Sequence, residues 1–180
     1  MSKPKQVITS AATSVKQVPA IFRLMNKNLV HPALFWARNR EVLDYGGGRF
    51  DLLTENLADI GVRNWVYDPF NRSDAHNALV RQMLTIQPAD IAICANVLNV
   101  IKEPAVRREV LRDIKRLLNP EGTAWFTFYE GNRSSRGKKT TKGWQANRPT
   151  KNYIKELRKE FQEGWFVTSK LIAVRGFRDK

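Results

Sequence analysis

Two aspartates bracket a run of three glycines, and these are the residues whose types and spacing can do chemistry. Asp44 ends an apolar stretch, Tyr45 follows, and Gly46, Gly47 and Gly48 come next; Asp68 stands 20 residues beyond Gly48. Glycines at the end of a strand let a ligand approach the backbone closely. A dinucleotide fingerprint needs Gly-x-Gly-x-x-Gly, so that a helix N-terminus can take a pyrophosphate. Here the third place holds Asp51, whose carboxylate would sit near the phosphates, so that reading fits poorly. The Gly-Lys-Ser/Thr ending of a Walker loop is absent.

S-adenosylmethionine makes other demands, because it has no phosphate and carries an ammonium, a sulfonium and a ribose diol. An acid near a strand end engages the ammonium side, and glycines admit the methionine and ribose. A second acid, at the end of the next strand, accepts both ribose hydroxyls. Asp44 and Asp68 occupy those two places. The candidate cofactor residues are therefore Asp44, Tyr45, Gly46, Gly47, Gly48, Asp68, Pro69 and Asn96.

The elements that must position them follow from periodicity. A short amphipathic helix begins near Pro19, and another helical turn or two follows His31-Pro32. Residues 41–45 read as a buried strand, and apolar positions 50, 53, 57 and 60 place a helix after the glycines, stopped by Gly61. Residues 64–70 read as a second strand and 73–84 as a helix with Ser73 at its N-cap. Residues 89–101 read as a third, strongly apolar strand running into a loop. A helix spans 103–118 and ends at Asn119-Pro120, a strand covers 123–129, a helix covers roughly 150–162, and residues 164–177 form a hairpin. Strands alternating with amphipathic helices predict an α/β fold, a doubly wound, mostly parallel Rossmann-like sheet with a C-terminal antiparallel hairpin.

With those elements in place, the chain resembles the class I S-adenosylmethionine-dependent methyltransferases. "VLDYGGGRFD" resembles their motif I, acid-x-Gly-x-Gly-x-Gly, with Phe50 in place of the third glycine. "WVYDPF" resembles the strand carrying the ribose acid, "ADIAICANVLNVI" the strand that ends at the methyl-transfer site, and "RDIKRLLNPEGTAWFTFYE" the helix, turn and strand after it. The likeness covers residues 40–130. More narrowly, it resembles compact methyltransferase-like proteins of bacteria and their phages. Besides Phe50, one departure stands out: only 21 residues (69–89) lie where the family fits a helix, a strand and another helix. "NRSDAHN" is left as the source of an adenine contact.

Charge is unevenly placed. The net charge is +14, yet residues 41–131 hold ten basic and thirteen acidic residues. Residues 1–40, expected as a basic arm with a short helix, hold seven Lys/Arg and no acid, and so do residues 132–151, a basic loop of the domain 41–180. Such segments either attract a polyanion or act as solvated tails. In the loop, Arg133, Lys138, Lys139, Lys142, Trp144, Gln145 and Asn147 are the candidate substrate contacts, as phosphate and stacking groups or as a lid over the cofactor.

Asn96, Asn99 and Tyr129 are the candidate catalytic residues. An asparagine amide after the central strand can hold a substrate amine or hydroxyl, or can simply cap a helix, and a general base is drawn from Tyr129, Glu130 or an Asn-held water. The Asp/Asn/Ser-Pro-Pro-aromatic pattern of amino-methylating nucleic-acid enzymes is missing here. Cys94 lacks the Pro-Cys context of a cytosine-C5 nucleophile and reads as a buried strand cysteine, while His31 and His76 read as loop and surface residues. One cysteine and two histidines leave no set for structural zinc and no intramolecular disulfide. No transmembrane run is present, so a cytoplasmic protein of a bacterial or phage-infected cell is expected. Three readings stay open: a methyltransferase for nucleic acid, one for a small molecule or protein, and a non-enzymatic virion or regulatory protein that keeps the fold.

Overall fold

The computed structural model describes residues 16–141 and 143–176; the start of the basic arm and Lys142 lie outside them. Six strands form the main sheet: β1 (Glu41–Tyr45), β2 (Arg63–Tyr67), β3 (Ala89–Ala95), β4 (Leu118–Thr127), β7 (Glu163–Thr168) and β8 (Leu171–Arg175). Their spatial order is β2-β1-β3-β4-β8-β7. The first four run parallel, and the β7–β8 hairpin joins β4 antiparallel, as the alternating pattern predicted. Residues 69–89 hold one helix, α4 (Asp74–Ile86), and no further strand before β3, so β2 is left as an edge of the sheet.

Both faces of the sheet are covered, and the period-two alternation of side chains assigns each residue to its face. Leu43, Ala92, Cys94, Phe126, Ile172 and Val174 pack on one side beneath α4 and α5 (Pro104–Leu117). Val42, Ile91, Ile93, Trp125, Leu171 and Ala173 face the other, beneath α1 (Ala20–Asn28) and α3 (Leu52–Ala58). Ile21 and Met25 of α1 are buried in that second layer, and Trp36, just after α2 (Pro32–Phe35), lies with them. The short helix expected within residues 1–40 is thus docked on the domain, because the apolar stripe of α1 has a sheet face to cover.

Other elements also differ from the periodicity, and the second strand, expected over 64–70, already ends at Tyr67. The third strand ends at Ala95 because Asn96 takes a left-handed backbone (φ 58°), which turns the chain out of the sheet. The strand expected at 123 starts at Leu118, with an irregular register between the Ala89 and Ile91 pairings that accommodates Asn119–Gly122. The helix expected over 150–162 is a 3-10 turn (Thr150–Tyr153) followed by one α turn, α6 (Ile154–Leu157), since the chain must reverse into β7. Finally, the basic loop is not irregular throughout: β5 (Lys138–Thr140) and β6 (Gly143–Gln145) pair as an antiparallel ribbon. Among the described residues, no helix is long and apolar enough to cross a membrane, and no group of His, Cys, Asp and Glu is placed to hold a metal ion.

Candidate functional site

The connections diverge between β1 and β3: α3 leads from β1 out to β2, and the chain after β3 leads the opposite way to β4. A crevice opens beyond the carboxyl ends of the strands at such a switch point. The glycine loop and the loop after β3 meet there. A Cβ on Gly46, whose φ is +79°, would come within 2.4 Å of Val97 Cγ2, so only glycine fits this approach. A Cβ on Gly47 would stand 2.4 Å from Asp44 Oδ2, which places the Asp44 carboxylate directly beneath the loop.

Asp44 is 3% exposed, and among the described residues no hydrogen bond reaches its carboxylate. Burial, followed by the nearby charge of Asp68, pushes its pKa from the ordinary 3.8 up to about 7, against a smaller opposing pull from Arg72. This is a carboxylate without a counter-charge in contact, held in a place that favours a cation.

Asp68 is equally buried but is fully engaged. Its carboxylate accepts from the backbone N–H groups of Gly48 (2.9 Å), Phe70 (2.9 Å) and Asn71 (3.0 Å) and from Asn71 Nδ2 (2.9 Å). Gly46 N donates to the Tyr67 carbonyl at 2.7 Å, which docks the glycine loop on the end of β2. Asn77, in the first turn of α4, holds the Asp68 backbone from both sides: Oδ1 accepts from Asp68 N at 2.9 Å and Nδ2 donates to Asp68 O at 3.0 Å. Asn77 closes the stretch 71–77 offered above for an adenine contact, and here its amide is taken up by the Asp68 backbone; the signal for that role is a polar residue on the inward face of a helix one turn past its N-cap. Ser73 is that cap, accepting from His76 N, and the His76 ring lies 2.8 Å from the Val66 carbonyl in a half-buried structural contact.

Tyr45 differs from expectation. Its ring is turned to the opposite face of the sheet, where its hydroxyl donates to Asp113 Oδ2 (3.1 Å) and its ring lies against Tyr67. Arg81 completes that cluster with a two-pronged contact to Asp113 and a 2.8 Å bond to the Tyr67 hydroxyl. Alternation along β1 is the reason: Asp44 and Tyr45 must point to opposite faces, so only the backbone of Tyr45 borders the glycine loop. Pro69 is half-buried after Asp68. Cys94 is buried, and burial raises its thiol pKa far above the reactive range, which fits a packing role.

On the β3–β4 side, Asn96 is exposed at the crevice, its N–H donating to the Thr127 carbonyl (2.9 Å). Asn99, by contrast, is 1% exposed; its Nδ2 contacts Gln145 Oε1 at 3.3 Å and its carbonyl accepts from Ala146 N. Gln145 Nε2 in turn donates to the Tyr129 carbonyl. Asn147 is 3% exposed, its Nδ2 donating to the Arg136 carbonyl and its own carbonyl accepting from Ser135 N. Asn99, Gln145 and Asn147 thus brace the basic ribbon from within, a correction to their expected contact with an acceptor. Trp144 is half-buried against Gly137, with Lys102 Nζ 5.4 Å from its ring centroid.

Tyr129 is exposed at the end of β4, while Phe50 and Phe70 are exposed beyond the glycine loop and Asp68. Phe50 lies outside α3 and has Arg49 beside its ring at 6.0 Å. Glu130 accepts from Thr150 N at 2.6 Å and pairs with Arg133 at 3.2 Å; the Thr150 hydrogen bond lowers its pKa and makes it a weak base. Lys138 and Lys139 are exposed on the ribbon, and Arg133 and Arg136 are exposed in the loop that precedes it.

The residues fit S-adenosylmethionine chemically. The unpartnered Asp44 suits its ammonium, the glycines leave no side chain in the way, and Asp68 is a fixed acceptor at the neighbouring strand end. A family model described as "Methyltransferase domain" matches residues 17–166. By sequence, no curated protein is matched. Solved structures share the fold. The chain is similar to the 1,6-didemethyltoxoflavin-N1-methyltransferase of Burkholderia thailandensis (TM-score 0.62, 18% identity, 88% of this chain and 79% of that one). It is also similar to the sugar N-methyltransferase KedS8 of a Streptoalloteichus species (TM-score 0.55, 12% identity, 97% and 100%). The human N-acetylserotonin methyltransferase, solved with S-adenosylmethionine, is a third (TM-score 0.55, 16% identity, 89% and 61%).

Proposed function

The chain belongs to the methyltransferase-domain family, and on that premise we propose that it transfers the methyl group of S-adenosylmethionine to a nucleic-acid acceptor. The observation that carries the cofactor half is Asp44, a buried carboxylate beneath the glycine loop with no partner among the described residues. When bound, S-adenosylmethionine supplies a methyl group on a positively charged sulfur, activated for in-line displacement. Asp44 would hold the ammonium end. Asp68 would be the acceptor for the ribose, since Asn71 Nδ2, the only one of its four donors on a rotatable side chain, can give way to a hydroxyl. Gly46 to Gly48 keep the approach clear, and Asn96 and Tyr129, both exposed past the ends of β3 and β4, face the incoming acceptor. The protein's main contribution is to position the two reactants.

The acceptor half rests on charge. The +14 of the chain equals the surplus of residues 1–40 and 132–151, and in the second of these, after β4 and beside the crevice, exposed Arg133, Arg136, Lys138 and Lys139 suit phosphates. A small-molecule acceptor is the second reading. It is favoured by the acceptors named for the similar structures: 1,6-didemethyltoxoflavin, a sugar and N-acetylserotonin. Incubating the protein with methyl-labelled S-adenosylmethionine and separate DNA, RNA, protein and small-metabolite fractions tests this. Label in DNA or RNA is expected; label in the metabolite or protein fraction alone overturns the acceptor assignment.

A further inference from the structure

Arg72 joins the glycine loop to the loop that carries Asp68. Its Nε donates to the Gly48 carbonyl at 2.8 Å, and its two terminal nitrogens reach the two oxygens of Asp51 at 2.6 and 3.4 Å. The Arg72 side chain is only 14% exposed, whereas Asp51 is half exposed. Gly48 is therefore held at both polar atoms of its backbone, N–H by Asp68 and carbonyl by Arg72. Its φ of +80° makes that peptide one that needs holding.

We infer that Arg72 is a positioning residue for the cofactor: its guanidinium clamps the glycine loop onto the Asp68 loop, using Asp51 as its second anchor. Asp51 stands where a dinucleotide site would place its third glycine and pack the helix tightly against the strand. This chain replaces that close approach with a two-pronged ion pair, a geometry that arginine provides and lysine does not. The clamp also supplies a positive charge near the site. Asp44 lies within electrostatic reach of Asp68, Arg72 and, across the sheet, the buried Cys94, and of these Arg72 alone favours its ionised form. Loss of Arg72 both frees the loop and makes Asp44 harder to ionise.

The inference rests on S-adenosylmethionine being the cofactor, and titration calorimetry with that molecule between pH 5.5 and 9 tests it. In Arg72→Met, affinity at pH 8 is expected to fall about tenfold or more, and the acid limb of the affinity profile to move to higher pH. In Arg72→Lys the limb stays near its wild-type position while affinity still falls, because the charge survives and the fork does not. Asp51→Asn removes only the exposed anchor, so it keeps the fold; an approximately threefold loss with an unmoved limb is expected. Wild-type affinity in Arg72→Met and Asp51→Asn, or an affinity loss in Arg72→Met with the limb unmoved, overturns the clamp. No binding by the wild-type protein at any pH overturns the cofactor reading on which the clamp depends.

Discussion

Replacing Asp44 with asparagine should strengthen the fold and weaken the function, and both effects should depend on pH. Burial first and Asp68 second raise the Asp44 carboxyl pKa from 3.8 to about 7 in the folded chain. The folded state thus binds this proton more tightly than the unfolded state, so the group costs stability as pH rises from about 4 to about 7. Between pH 5 and pH 8 the cost grows by about 2–3 kcal/mol. Asparagine has the same shape and no charge at either pH, so Asp44→Asn should be more stable than wild type at pH 8. The advantage should shrink by about 2–3 kcal/mol at pH 5, which for a chain of this size is about 5–10 °C in Tm. The same change removes the carboxylate that holds the cofactor's ammonium, and affinity for S-adenosylmethionine at pH 8 should fall about tenfold or more. At pH 5, where wild-type Asp44 is itself protonated, the two proteins should bind almost alike. Urea unfolding followed by circular dichroism, with calorimetry at both pH values, measures all four quantities. A stability difference that does not change with pH, or unchanged affinity at pH 8, would refute the assignment of Asp44.

Other expectations follow from the same geometry. Gly46→Ala places a methyl against Val97 in a backbone conformation that disfavours side chains; it should cost about 2–4 kcal/mol and abolish cofactor binding, with partial recovery of stability in the Gly46→Ala/Val97→Ala double variant. Asn77→Ala leaves both backbone groups of Asp68 without its amide, and urea unfolding should report a destabilisation of about 2–3 kcal/mol. Changing Arg133, Arg136, Lys138 and Lys139 together to alanine should lower DNA or RNA affinity and flatten its salt dependence, by up to about one slope unit for each phosphate that is no longer neutralised; calorimetry should show cofactor binding unaltered. An unchanged salt slope would detach the ribbon from nucleic-acid binding.

Local pattern was enough to identify much of this protein. Apolar runs, helical spacing, and Gly61 and Ser73 at helix ends placed the parallel strands and α3, α4 and α5, because those signals act within a few residues of one another. Asp44, the glycines and Asp68 could be read as a cofactor set for the same reason: strand, loop and acid are close in sequence. What the sequence could not supply were relations between distant residues. Tyr45 is turned to the Asp113 and Arg81 cluster by strand alternation and by a helix 68 residues away. Asn99, Gln145 and Asn147 looked like free polar groups until folding put β6 against the turn after β3 and made them braces. Asp51 looked like a misplaced carboxylate, and only the approach of Arg72 from the next loop gives it a partner. Hydrophobic periodicity follows from each segment's own residues, whereas the use of a polar side chain depends on what folding brings within about 3 Å of it.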